Sequence, residues 1–203
     1  MTSAAAPDDV DCAPPRLVLA SASPRRQELL REAGYEFDVI PAEIDESAPP
    51  GMLPAALAEQ LALNKARAVA NQHPECVILA ADTVVAFGDV PLGKPADAEH
   101  AKRMLTLLAG TTHIVITALA VVHTAEGFFK STRTMSAVRM RALTQAEIAQ
   151  YVATNQWQGK AGGYGIQDND PFVTRIAGSH TNIVGLPMTA TKRLLAEAGI
   201  APK

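Results

Sequence analysis

RLVLASASPRRQELLREAG, residues 16–34, reads as a strand, a short polar loop and a helix, and that order sets the fold class. Arg16–Ala20 is a compact apolar run of the kind that forms a buried strand. Ser21–Ser23 interrupts it, and Pro24 then supplies a favoured first helical residue, because its missing N–H is one that a helix start leaves unpaired in any case. The helix is expected to stop near Gly34.

Working outward, the alternation continues. Phe37–Ile40 reads as a second strand, and Glu43–Gly51 as an acidic, Pro-rich loop. Pro54–Gln72 reads as a long Ala/Leu-rich helix with Leu57 and Leu61 one turn apart. Val77–Ala81 and Thr83–Phe87 form an almost unbroken apolar strand interrupted by Asp82, and Gly88–Pro95 is a turn-rich connection. The next helix puts Ala101, Met104, Leu105 and Leu108 on one face and ends at Gly110. His113–His123 and Phe128–Met140 pair as a hairpin around Glu126-Gly127, and Thr144 with Glu147 has capping-box spacing for a helix to about Asn155. A Gly-rich loop, Gly159–Gly165, leads to further short strands, and Met188–Ala198 closes the chain as a helix capped by Gly199. The expected class is α/β, with polar residues gathered in strand-to-helix loops where such folds hold ligands.

Composition bounds the function. The 203 residues suffice for one sizeable α/β domain or two small lobes sharing a cleft, and 48% hydrophobic content fills a core. Only 4% of residues are aromatic, so that core must be aliphatic. A net charge of -3 argues against non-specific binding of nucleic-acid polymers, which needs a basic excess. Cys12 and Cys76 have no ligand-like spacing, so neither a disulfide framework nor a zinc site is expected. No apolar run approaches the roughly 20 residues of a membrane span. Residues 1–15 carry acids and no basic group, the wrong polarity for a secretory signal, and read as a disordered tail before a domain over 16–203. The expectation is a cytoplasmic protein without membrane or nucleic-acid partners.

Several residues could carry chemistry. Ser21, Ser23, Arg25 and Arg26 surround a helix N-terminus, where free amides and the dipole favour an anion; the plainer reading is that Ser23 caps the helix and the arginines are solvated. Asp82 lies in an apolar strand, where a carboxylate is costly unless paired, hydrogen-bonded or metal-bound; it could instead bend or end the strand. Glu43, Asp45 and Glu46 form an acidic loop, solvated or able to contribute to a Mg²⁺ or Mn²⁺ site alongside Asp82 and substrate phosphates. Lys65 falls on the inward stripe of its helix, so it either snorkels to solvent or reaches an anion in a cleft. Lys94 sits in a rigid Gly-Lys-Pro turn that is not a P-loop. The glycines of Lys160–Gln167 permit close backbone approach to a ligand, with Gln167 able to bond a base edge. His113 and His180 read as structural.

Taken in order, LASASPRRQELL (Leu19–Leu30), EIDES (Glu43–Ser47), LALNKA (Leu61–Ala66), AADTVV (Ala80–Val85), LGKP (Leu92–Pro95), KAGGYGIQ (Lys160–Gln167) and VGLP (Val184–Pro187) resemble the Maf family of nucleotide pyrophosphatases. The resemblance covers the chain from about Arg16 onward. It implies a mixed twisted sheet in two lobes around a central cleft, similar to inosine-triphosphate pyrophosphatases, and a homodimer using a divalent cation (Mg, Mn or Co). It implies Asp82 as catalytic base, Glu46 with Asp82 at the metal, and Ser21, Ser23, Arg26, Lys65 and Lys94 on the phosphates. Arg25, Thr83 and Gln167 match the base-selecting positions and are similar to the dTTP/UTP branch. The implied reaction is hydrolysis of dTTP and UTP to the monophosphate and pyrophosphate, limiting incorporation of non-standard nucleotides. Two rivals stand beside it: a pyrophosphatase for another base such as 7-methyl-GTP, and a nucleotide-binding regulator of septum formation with little catalysis. Asp168-Asn169-Asp170-Pro171, where relatives often continue with glycines, departs from the pattern.

Overall fold

The structure is a computed structural model that describes residues 15–167 and 172–203. The tail expected over residues 1–15, Pro15 excepted, and the Asp168–Pro171 departure therefore lie outside the described residues. In chain order the elements are β1 (Leu17–Leu19), α1 (Pro24–Glu32), β2 (Asp38–Val39), α2 (Pro54–Ala70), β3 (Val77–Phe87), β4 (Val90–Leu92), α3 (Ala98–Leu108), β5 (Thr112–His123), β6 (Phe128–Met140), α4 (Gln145–Ala153), β7 (Val173–Ala177), α5 (His180–Val184) and α6 (Met188–Glu197).

The strands form one mixed sheet of seven, in the order β2-β1-β3-β5-β6-β7 with β4 also on β3. β1 runs parallel to both β2 and β3, whereas β3, β5, β6 and β7 pair antiparallel in sequence. The long β5–β6 hairpin follows from alternating β-branched and small residues around Glu126-Gly127. α4 opens with the expected capping box, Thr144 and Glu147 each bonding the other's backbone N–H.

The core has three parts. α2 lays Leu57, Ala58, Leu61, Ala62 and Ala66 on the face of the sheet presented by Ile78, Ala80 and Val84 of β3. Alanines on both surfaces bring helix and sheet together without aromatic bulk, as the composition requires. The opposite face packs Leu19, Leu79 and Ala81 against Leu30, Leu194 and Leu195 from α1 and α6. A third cluster joins Val85, Val115 and Val138 to Met104, Leu105 and Leu108 of α3, Ile148 of α4, and Tyr164.

Two local readings need correction. The Gly88–Pro95 connection contains β4, whose Val90-Pro91-Leu92 pairs antiparallel with Val85–Phe87. Proline is tolerated there because this short strand needs few ladder N–H donors. Among the described residues, the stretch after the Gly-rich loop holds one strand, β7, and then a short helix, α5, which Ser179 starts by accepting from the Asn182 N–H.

β3 fixes the position of the site. On one edge it pairs with β5 over most of its length, from Ile78 to Ala86. Its other edge is shared: β1 takes Val77–Leu79 and β4 takes Val85–Phe87. Between them the five residues Ala80–Val84 have no strand partner on that side among the described residues, and this gap opens into the cleft.

Candidate active site

A cleft of about 540 Å³ lies over the gap, lined from one side by Ser21–Arg26 and from the other by Lys94 and residues 158–161 and 164–167. That volume is in the range of small-molecule sites. All ten of the site residues anticipated from the sequence, Ser21, Ser23, Arg25, Arg26, Glu46, Lys65, Asp82, Thr83, Lys94 and Gln167, contribute to its lining. Glu43 and Asp45 do not; Asp45 is exposed and is occupied by the N–H and hydroxyl of Ser47.

The charged centre is compact. Lys65 Nζ donates to Asp82 Oδ1 at 2.6 Å and lies 2.6 Å from Glu46 Oε1. Lys94 Nζ donates to the second oxygen, Glu46 Oε2, at 2.7 Å. Lys65 and Asp82 are buried, with 7% of each side chain exposed, while Glu46 and Lys94 stand at the mouth. Lys65 therefore does not snorkel: it bridges two carboxylates from different loops and strands. Burial alone would raise the Glu46 pKa, but the hydrogen bonds and charges of Lys65 and Lys94 outweigh it and hold the carboxyl at about 2.

The α1 entrance is built differently from simple capping. Ser23 occupies the cap position, yet its side chain makes no cap bond, and its N–H instead donates to Ser21 Oγ at 3.3 Å. Arg26 is drawn inward: Nη1 donates to Ser21 Oγ at 3.0 Å, Nη2 to Thr83 Oγ1 at 3.2 Å and Nε to the Gly185 carbonyl at 2.8 Å. Arg25 Nη2 reaches across to the Gly159 carbonyl at 3.1 Å, tying α1 to the Gly-rich loop. The solvated-arginine reading fails for both.

The Gly-rich loop is fastened by contacts that the sequence did not reveal. Gly162 donates its N–H to the Gly93 carbonyl at 3.0 Å, and at φ +69 a Cβ there would stand 2.9 Å from Val85 Cγ2. Tyr164 Oη lies 2.5 Å from His113 Nε2, both groups buried, and His113 Nδ1 has no partner among the described residues. Burial pushes the Tyr164 hydroxyl pKa up and the His113 pKa down to about 4. A periodicity argument could flag His113 as inward, but not its partner 51 residues away.

These shifts predict acid lability. Below about 6.5 the unfolded chain takes up a proton on residue 113 that the folded chain refuses until about 4. Glu46 adds to the loss between about 4.5 and about 2, since its folded pKa is depressed. Urea midpoints are expected to fall across both windows, and His113→Gln to flatten the decline between pH 6.5 and 4.5. A decline of unchanged slope in that variant would place the charge elsewhere.

Two carboxylates joined through a buried lysine, the further basic side chains Arg25, Arg26 and Lys94, and a helix N-terminus define an α/β protein whose cleft suits a polyanion. The sequence matches the family described as Maf-like protein over residues 16–198, and the chain belongs to that family. Its relatives include a Rhodospirillum rubrum protein named dTTP/UTP pyrophosphatase, 48% identical over 92% of this chain and 89% of its own length. Proteins of the same name from Cereibacter sphaeroides and Hahella chejuensis are each 47% identical, over 91% of this chain and 95% and 93% of theirs. A solved protein from Vibrio cholerae overlays with a TM-score of 0.36 at 13% identity, covering 72% of this chain and 80% of its own, and the family membership does not lean on it. No helix among the described residues is long and apolar enough to cross a membrane.

Proposed function

We propose that the chain is a nucleoside-triphosphate pyrophosphatase that hydrolyses dTTP and UTP to the monophosphate and pyrophosphate, in the cytoplasm and as a homodimer, with residues 16–203 as the functional unit. The observation that carries the reading is the Glu46–Lys65–Asp82 cluster, with Lys65 2.6 Å from each carboxylate at the base of a cationic cleft.

In this reading Ser21, Ser23, the α1 amides, Arg26, Lys65 and Lys94 neutralise and orient the triphosphate. Asp82, buried against one strand face, orients a water toward the α-phosphorus and takes its proton. Lys65, hydrogen-bonded to Asp82 in the free protein, holds that carboxylate in place and on substrate binding turns part of its charge to the phosphates. Arg25, Thr83 and Gln167 read the base.

The donor set also fits a divalent cation. Glu46 and Asp82 oxygens both lie 2.6 Å from the Lys65 ammonium, so a cation taking its place would meet both carboxylates, and hard cations of this kind accept one or two carboxylates with substrate phosphates completing the shell. No group of three His, Cys, Asp or Glu side chains converges among the described residues, so the other ligands would come from phosphate and water. When bound, Mg²⁺, Mn²⁺ or Co²⁺ would supply charge neutralisation and polarisation of the phosphates.

The test is pyrophosphate release with each of these metals across canonical and modified nucleoside triphosphates. Release confined to dTTP and UTP is expected. Release from another base would keep the chemistry and overturn the base reading; binding without release under any metal would favour the regulatory binder.

A further inference from the structure

β3 divides the cleft by its alternation. Asp82 points to Lys65 of α2, on the charged side. Thr83 points the opposite way, toward the wall that Val85, Val115, Tyr164, Ile166 and Ile183 line with apolar surface. A triphosphate suits the first side and a flat heterocycle the second. Thr83, partly exposed, is the hydroxyl at the border.

The direction of its hydrogen bonds is settled by its neighbours. A guanidinium only donates, so Thr83 Oγ1 accepts from Arg26 Nη2 at 3.2 Å. A main-chain carbonyl only accepts, so the fully buried Thr117 donates its single proton to the Asn182 carbonyl at 2.9 Å. The Thr83–Thr117 contact at 2.9 Å must then be Thr83 donating. The reverse orientation would leave Thr117 and the Asn182 carbonyl facing each other lone pair to lone pair. Asn182 itself is anchored, its Nδ2 donating to the Val115 carbonyl at 3.0 Å and to Ser136 Oγ at 2.9 Å. Thr83 thus commits its proton inside the protein and turns only a lone pair toward the cleft.

We propose that Thr117 is a specificity-determining positioning residue: by holding the Thr83 proton it makes Thr83 an acceptor only, which selects bases with a donor at N3, uracil and thymine, against cytosine, whose N3 accepts. The proposal rests on the nucleotide reading above and assigns a buried side chain a share in choosing the base. A site whose polar group meets a like group on the wrong base discriminates far more strongly than apolar shape does.

Binding of UMP and CMP, measured by calorimetry, tests this without turnover. Thr117→Val keeps the volume and removes the hydroxyl, so Thr83 regains a proton to offer the cleft. The preference for UMP over CMP is expected to fall by about tenfold or more. Affinity for inorganic tripolyphosphate, which has no base, should change by less than about threefold, because Thr83 Oγ1 still accepts from Arg26 in the variant, and Asp82, Lys65 and Lys94 lie on the other face. Thr117→Ser restores the chain and should restore the preference, an outcome that a merely packed threonine would not produce. If the valine variant does not fold, Thr117→Ala gives the same reading. A folded Thr117→Val or Thr117→Ala with wild-type preference, or a Thr117→Ser that does not recover it, overturns the proposal alone. Wild-type protein that binds neither monophosphate would overturn the functional reading and this proposal with it.

Discussion

Asp82→Asn is expected to lower pyrophosphate release by about a thousandfold or more while the protein still folds and still binds nucleotide. The asparagine has the same shape, and its Oδ1 can still accept from Lys65. The ammonium also keeps Glu46 at 2.6 Å, so it is not left buried without an anion. The large penalty usual for breaking a buried pair is therefore blunted. Removing one negative charge leaves Lys65 and Lys94 facing Glu46 alone, which should hold dTTP at least as tightly as wild type does. The signature is thus lost turnover with affinity retained or improved, read from pyrophosphate release and calorimetry on one preparation. Turnover within about tenfold of wild type would remove Asp82 from the chemistry.

Lys65→Met should be costly to the fold as well as to activity. It removes the one cation paired in contact with the buried Asp82 carboxylate among the described residues, whereas Glu46 retains Lys94 at 2.7 Å. An uncompensated buried charge costs about 3 kcal/mol, equivalent to a loss of roughly 6–12 °C in melting temperature for a chain of this size. The same variant separates the two roles of the carboxylates. If Glu46 and Asp82 can share a divalent ion, millimolar Mn²⁺ should restore most of the lost melting temperature in Lys65→Met and little in Lys65→Met with Asp82→Asn. Equal responses in the two would mean that the ion binds elsewhere, and no loss of stability at all would mean that Lys65 does not neutralise Asp82.

How much of this was legible in the sequence depends on the range of the interaction. The hairpin, the capping box of α4 and the strand–loop–helix at Arg16–Gly34 are local patterns, and they stand as read within a residue or two. β4 and α5 were missed because each is too short for periodicity to register: three residues around a proline, and five including β-branched Thr181, Ile183 and Val184. At the site, residue types placed Asp82 and Lys65 as inward, but periodicity left the lysine's destination open. Only the packing of α2 on β3 brings Nζ to both carboxylates. Of three acids in one loop, composition could not say that Glu46 alone would turn to the cleft. The Arg26–Thr83–Thr117–Asn182 chain spans residues from 26 to 182, and nothing local announces it.

The interval between β1 and β4 along β3 bears on how the chain stays unaggregated. A bare strand edge is a template on which a foreign strand can zip up, and proteins ordinarily shield such edges. Here Ala80–Val84, without a strand partner on that side among the described residues, is closed at one end by a parallel neighbour and at the other by an antiparallel one. An invading chain would have to thread between the two and could pair only with the residues they leave between them. A small ligand meets no such obstacle. The two flanking strands thus act as stops, leaving backbone available to a nucleotide-sized visitor and out of reach of another protein's strand.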